Sequence, residues 1–415
     1  MPELNFDWTQ LFKSQKKLFA ARVCKSHKEL FVSTVDQCLN LYAGQNMKKL
    51  SICYELGENH ALFLDGWITF AATKGVEMVV LDLSGKKSYR YGDLHKQGCY
   101  IFPCHLLSHG AVSKLECLML SSVILGPMTD QFSNLKQLTL NRVLLNPTHV
   151  ETIFSSCSKL MFLELSSCGL PDSKLCIRSR SLKFLNLEDC EPLKEIEFCS
   201  KSITEFHYFG LIEDVELSFS EVSNIEIVRF RAASFRSGEN FLSQVRRSLP
   251  QIKSLNTLIT TDQLKLLGCS KFTNIEHLEL TIFGRIQFDT VKMSPVIKSC
   301  PLLKTLVIHN TCHEGPLDDG QSRGYGYAPA NEVDHHHHLK QVKIDAFCGT
   351  WSYIIFAIYL LKHAVALEHM FIEIRSPYMG GVQRFSRYQE KREQNLVYEQ
   401  LREHIPSKDF ELIIA

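Results

Sequence analysis

This chain of 415 residues has almost no net charge, with 46 Lys and Arg against 45 Asp and Glu. That balance offers no global attraction to nucleic acid or to an anionic membrane, so neither is expected as a partner. Long apolar runs are also missing. The nearest, Tyr353 to Leu361, falls well short of the roughly 18 residues that a spanning helix needs. No secretory leader is recognisable, because Asp7, Lys13, Lys16 and Lys17 interrupt any apolar stretch. The 15 cysteines form no C-x-x-C pair and no zinc pattern. They read mostly as small, reduced core residues, which fits a cytoplasmic or nuclear setting.

Recognisable catalytic machinery is scarce too. There is no H-E-x-x-H and no P-loop. Gly320-Gln321-Ser322-Arg323-Gly324-Tyr325-Gly326 is glycine-rich. It does not join a strand to a helix, as a phosphate cradle requires. His335 to His338 form a run that binds zinc, copper or nickel opportunistically. Only Asp334 stands beside it, so no metal or cofactor is assigned. The expectation is a protein that is not an enzyme.

What the chain does contain is repetition. Leu160-Met161-Phe162-Leu163-Glu164-Leu165-Ser166-Ser167-Cys168 reads L-x-x-L-x-L-x-x-C, and Leu182 to Cys190 repeats the pattern 22 positions later. This is the signature of a leucine-rich repeat, one strand and one return segment per unit. So small a unit cannot bury its own apolar face and must stack on neighbours. Allowing any apolar residue extends the ladder to 13 candidate strands, from Met47-Leu50-Ile52 to Leu367-Met370-Ile372. Repeat starts between residues 115 and 225 are spaced 20, 25, 22, 21 and 22 apart. The fold class expected is an α/β leucine-rich-repeat solenoid, a horseshoe with a parallel concave sheet and a helical or irregular convex side.

Longer spacings should hold helices. Apolar periodicity places them over Glu29–Tyr42, Ala61–Thr73, Pro147–Cys157, Glu239–Leu249, Val291–Ser299 and Ser352–Ala366. On the first, Leu30, Phe31, Val35, Cys38 and Leu39 share a face. Thr311 to His338 is rich in Gly, Pro, Asp and His, and reads as a mobile insertion. Arg384 to His404 reads as a C-terminal helix with Tyr388, Leu396, Tyr398 and Leu401 inward, followed by a strand at Phe410–Ile414. The resulting division is an N-terminal helical cap over residues 1–46, repeats over 47–310, the insertion over 311–338, and C-terminal repeats with a cap over 339–415.

With the ladder in view, the chain resembles the plant F-box/leucine-rich-repeat proteins that end in an FBD region. Phe31-Val32-Ser33-Thr34-Val35-Asp36-Gln37-Cys38-Leu39 is similar to that family's F-V-x-x-V-D-x-x-L helix. Met47-Lys48-Lys49-Leu50-Ser51-Ile52 looks like its first strand, and Trp67 to Ala72 with Gly75-Val76 like its W-I-x-x-A-x-x-x-G-V segment. Leu339 to Ile344, Phe347-Cys348-Gly349 and Tyr359 to Ala364 resemble the FBD core, and Ile405-Pro406-Ser407 its tail. The opening Met1-Pro2-Glu3-Leu4-Asn5-Phe6-Asp7 looks like the L-P-x-L-N-F-D that follows an F-box in relatives. The F-box itself is absent from these residues. The resemblance therefore implies the substrate-recognition part of an SCF-type ubiquitin ligase. A Skp adaptor and cullin are expected as partners only if an upstream F-box exists. The alternatives are a small-ligand receptor on the concave face, or a regulatory scaffold without an F-box.

In each repeat strand the apolar positions point inward and the intervening ones face the open side of the sheet. That places Phe162, Glu164, Phe184, Asn186, Glu188, Glu205, His207, Arg229 and Arg231 on the concave face. Phe162 and Phe184 hold matching positions in adjacent repeats and should stand side by side. Paired exposed aromatics are typical anchors for a protein partner, unless a loop covers them. Thirteen strands about 4.8 Å apart would give a sheet about 60 Å along its arc, ample for a standard interface.

Overall fold

The computed structural model describes residues 2–11, 27–85, 98–108, 113–128, 132–210, 215–219, 224–232, 237–260, 263–268, 271–283, 290–310, 335–347, 351–374, 387–406 and 410–415. The chain divides into two compact units. One comprises Met1–Gly210 with Val215–Ser223, and the other Leu211–Asp214 with Asn224–Ala415.

In the first unit, strands Glu3–Asp7, Lys49–Cys53, Met78–Asp82, Cys117–Ser121, Gln137–Asn141, Phe162–Ser166, Phe184–Glu188 and Glu205–Gly210 lie side by side in that order. Every pairing between neighbours is parallel and in register, with Leu138, Leu163, Leu185 and Phe206 forming one row across four strands. The alternation of each strand explains the layer. Leu163, Leu165, Leu185 and Leu187 are at most 2% exposed, while the residues between them stay half-buried. Apolar side chains on one face of a sheet must be covered, and here the return segments cover them.

The chain leaves each of four consecutive strands by the same device. Ser122, Arg142, Ser167 and Asp189, each one past a strand end, adopt left-handed φ of 58°, 53°, 51° and 47°. Their amides donate to Asn141, Ser166, Glu188 and Phe209 carbonyls of the next repeat at 2.7–2.9 Å. Those bonds offset a conformation that non-glycine residues otherwise avoid. One residue further, Val123, Val143, Cys168 and Cys190 turn inward and are buried. The Cys168 and Cys190 thiols donate to the carbonyls of Leu140 and Leu165, both at 3.3 Å. A small side chain with one weak donor suits that position. Burial pushes the Cys104 and Cys157 thiols up to about 12, so they stay protonated and inert.

Return segments differ with repeat length. Longer ones carry helices His27–Asn40, Ala61–Thr73 and Pro147–Ser155. The short ones contain strands Lys174–Ile177, Glu195–Phe198 and Glu216–Phe219, which pair parallel into a separate three-stranded sheet. A spacing near 22 leaves too few residues for a helix, so the return runs extended and pairs with its equivalents. The expected helical or irregular back is thus partly β. Two further expectations need correction. Residues 3–7 form a strand paired with Lys49–Cys53 instead of helical cap. On the first long helix, Phe31, Val32, Val35 and Leu39 are buried, but Cys38 is exposed.

The Pro147–Ser155 helix starts with a reciprocal cap. Asn146 Oδ1 accepts from the His149 amide at 2.8 Å, and His149 Nδ1 accepts from the Asn146 amide at 3.3 Å. The His149 ring is buried, which lowers its pKa below the usual 6.5, against a smaller raising effect of its bond to the Gly126 backbone. Neutral imidazole is the form that can accept at Nδ1. The unfolded chain then binds the proton more readily than the folded one. The stability from this cap should be complete above about pH 6.5 and drain away as pH falls below it. His149→Gln keeps an acceptor without a titrating charge. Denaturant midpoints measured from pH 7.5 to 5 should fall less steeply for this variant than for the native chain.

In the second unit, strands Ile227–Ala232, Ser254–Thr260, His277–Phe283, Thr305–Asn310, Gln341–Phe347, His369–Ile374 and Glu411–Ile414 follow one another in a parallel sheet. The helices are Ser237–Ser248, Leu264–Gly268, Thr290–Ser299, Trp351–His363 and Arg387–Leu401. Phe230 of the first strand stacks on Phe241 of the first helix, with ring centroids 3.7 Å apart. On the last helix Val397 and Leu401 are buried, whereas Leu396 and Tyr398 are exposed. The inward stripe therefore differs from the expected one by a rotation of the helix. Of the expected insertion, residues 311–334 lie outside the described residues. His335–His338 are described, and His336 is fixed to the Trp351–His363 helix. Its amide donates to the His363 carbonyl at 2.8 Å, and its Nε2 lies 2.8 Å from the Tyr359 hydroxyl.

Candidate functional site

Seven of the nine expected surface residues come together on three adjacent strands of the first unit. Phe162 and Phe184 are register partners. Their rings are parallel within 1°, with centroids 4.2 Å apart. The His207 ring meets Phe184 edge-on at 4.8 Å and 78°. All three side chains are half-buried. Stacking fixes their rotamers and makes the pair a rigid aromatic step.

Carboxylates surround that step. Glu205 is the register partner of Phe184, and Glu164 that of Asn186. Asn186 Nδ2 donates to Glu164 Oε1 at 3.2 Å, Ser166 Oγ donates to Glu188 Oε2 at 3.1 Å, and Glu205 Oε1 lies 2.8 Å from His207 Nε2. These contacts orient the acids while leaving lone pairs for other donors.

Arg229 and Arg231 are exposed on the Ile227–Ala232 strand of the second unit. Arg231 Nε donates to Asn256 Oδ1 at 3.3 Å and its guanidinium lies 3.7 Å from Glu279. Glu279 lies 2.9 Å from His309 Nε2, His309 Nδ1 lies 2.6 Å from Asp345, and Lys343 lies 3.1 Å from Asp345. The Lys343 ammonium also lies 5.4 Å from the Phe371 ring centroid. Sequence reasoning missed this chain of ions. The signal was available, since Glu279, His309, Lys343, Asp345 and Phe371 all alternate with buried apolar residues on their strands.

Two open clefts are distinct from these surfaces. One of about 250 Å³ is lined by residues such as Asn46, Lys74, Gly75 and Lys114. The other, about 400 Å³, is lined by residues including Lys298, Cys300, Leu303 and His335–His338. Among the described residues no cluster of His, Cys, Asp and Glu is arranged to hold a metal ion. Nor is any described helix long and apolar enough to cross a membrane. Gly320-Gln321-Ser322-Arg323-Gly324 does spell G-x-S-x-G, but it lies outside the described residues.

Residues 39–404 match the family described as At1g61320/AtMIF1, LRR domain. The chain belongs to that family. Its leucine-rich-repeat architecture, read from the spacing of leucines and seen in the parallel strands of both units, is thereby also its family assignment. Similar proteins come from Arabidopsis thaliana. The putative F-box/LRR-repeat protein At5g41840 is 24% identical over 356 residues, covering 76% of this chain and 63% of that protein. The putative F-box/LRR-repeat protein At4g00320 is 24% identical over 338 residues, covering 75% and 64%. The F-box protein At3g59000 is 24% identical over 318 residues, covering 69% and 61%. This chain thus spans less than two thirds of the length of the curated relatives it matches. It is a leucine-rich-repeat protein-interaction module.

Proposed function

We propose that the first unit's sheet face around Phe162 and Phe184 recognises a protein partner, and that the chain acts without catalysis of its own. The observation that carries this reading is the stacked aromatic pair at 4.2 Å, held open on a rigid parallel sheet between oriented carboxylates. A rigid anchor loses little conformational freedom on binding, so more of the contact energy becomes affinity. The F-box/LRR-repeat names of the relatives support a further step. In an SCF-type ubiquitin ligase an F-box would hold the Skp adaptor, and this face would hold the substrate. A small-ligand receptor finds less support, because neither cleft is lined by residues of this sheet face.

The test is affinity purification from plant extract with the native chain and with the Phe162→Ala, Phe184→Ala double variant. Anchor aromatics at interfaces commonly contribute about 2 kcal/mol or more each. The stacked pair acts as one anchor, so even without additivity the double variant should lose at least about 30-fold in affinity for any partner so identified. Full retention of that partner would overturn the assignment of this face.

A further inference from the structure

From the charge pattern of the same face we infer that its partner presents an arginine-bearing extended segment; this rests on the interaction reading above and names the chemistry it selects. Four consecutive strands, from Gln137–Asn141 to Glu205–Gly210, place no lysine or arginine at any sheet-face position. They do place Glu164, Glu188 and Glu205 there, around the stacked phenylalanines.

Several acids elsewhere instead meet a lysine or arginine of the chain. Elsewhere in the first unit, Glu3, Glu116, Glu195 and Glu197 lie 3.3, 2.7, 2.8 and 3.0 Å from lysine ammoniums. On the second unit's sheet, Glu279 and Asp345 have Arg231 and Lys343 beside them. By contrast, among the described residues Glu164 and Glu188 have only neutral donors, Asn186 and Ser166, and Glu205 has only His207. Those six acids meet a cation of the chain, whereas these three are left open to a cation from outside.

Geometry favours arginine over a simple point charge. The three glutamates lie on adjacent strands about 4.8 Å apart, at sheet-face positions about 6.8 Å apart along a strand. An extended chain can therefore reach more than one of them. Arginine's stem can lie along the phenylalanine edges while its planar fork takes a carboxylate through two hydrogen bonds. Nucleic acid is disfavoured here, since its phosphates would meet three carboxylates.

Fluorescence anisotropy with a labelled (Gly-Arg)4 peptide tests this directly, with the uncharged citrulline counterpart alongside. The full chain should bind the arginine peptide at least about 10-fold more tightly than the citrulline one. The variant Glu164→Gln, Glu188→Gln, Glu205→Gln should erase that preference. A control variant, Glu116→Gln, Glu276→Gln, Glu368→Gln, removes acids already paired with Lys136, Lys304 and Lys340, and should stay within about 2-fold of native. Equal loss in both triple variants, or no preference for arginine over citrulline, would overturn the proposal. Failure can also be separated from that of the underlying reading. If an identified partner survives the triple glutamine change but is lost on Phe162→Ala with Phe184→Ala, the interaction surface stands and the arginine assignment falls. If the partner survives both, both fall.

Discussion

Replacing Leu185 with alanine is expected to lower the unfolding free energy by about 2–5 kcal/mol. Leu185 is 0% exposed and sits in a row with Leu163 on one neighbouring strand and Phe206 on the other. Truncation removes the transfer energy of the lost methyl groups and leaves a cavity. Parallel strands hydrogen-bonded on both sides cannot close in to fill it. A urea midpoint measured by circular dichroism should fall accordingly, while Leu185→Met, close in volume, should cost less than about 1.5 kcal/mol. An unchanged midpoint for the alanine variant would mean that the register of the repeats is wrong.

In the second unit, Phe230→Ala should cost about 3–5 kcal/mol. Phe230 and Phe241 are each 1% exposed, and their rings are 3.7 Å apart and 7° from parallel. That contact fastens the Ser237–Ser248 helix to the underside of its strand. The loss should therefore exceed simple area burial, because the partner ring also loses a packed face. Leu at position 230 retains much of the volume and should recover part of the stability. If Phe230→Ala unfolds at the same denaturant concentration as the native chain, the helix is not anchored in this way.

The sheets were legible because burial follows the alternation of single residues. Each of the 13 strands expected from the repeat pattern coincides with an observed one, from Lys49–Cys53 to His369–Ile374, and the Ala61–Thr73 helix has the bounds that its apolar stripe gives. Less legible was whatever depends on neighbouring repeats. The Lys174–Ile177, Glu195–Phe198 and Glu216–Phe219 strands alternate polar and apolar residues over only four positions each, and they exist as a sheet because short returns stack on each other. The Glu3–Asp7 strand lies far in sequence from the next repeat and is defined by its pairing with Lys49–Cys53. Helix faces were less certain than strand faces. On Arg387–Leu401, charged residues outnumber apolar ones, so several stripes fit the sequence and packing selected Val397 with Leu401.

The candidate site divides along the same line. Side-by-side placement of Phe162 and Phe184 follows from equal position in successive repeats, so sequence could supply it. The orientation of the acids could not be read, since it depends on which donor each carboxylate meets across the strands, Asn186 for Glu164 and Ser166 for Glu188. Arg231 is exposed on its strand as expected; its pairing with Asn256 and Glu279 could not be read, since those contacts need knowledge of two later repeats.

Site-specific photo-crosslinking tests the central claim, that the aromatic sheet face is where a partner docks. A benzophenone side chain at Asn186 lies beside the stacked rings, and one at Glu197 lies on the separate three-stranded sheet of the return segments. In plant extract the first should give a discrete protein adduct that disappears when Phe162 and Phe184 are alanine. The second should give none of that adduct. Crosslinking to the same protein from position 197 and not from 186 would contradict the account.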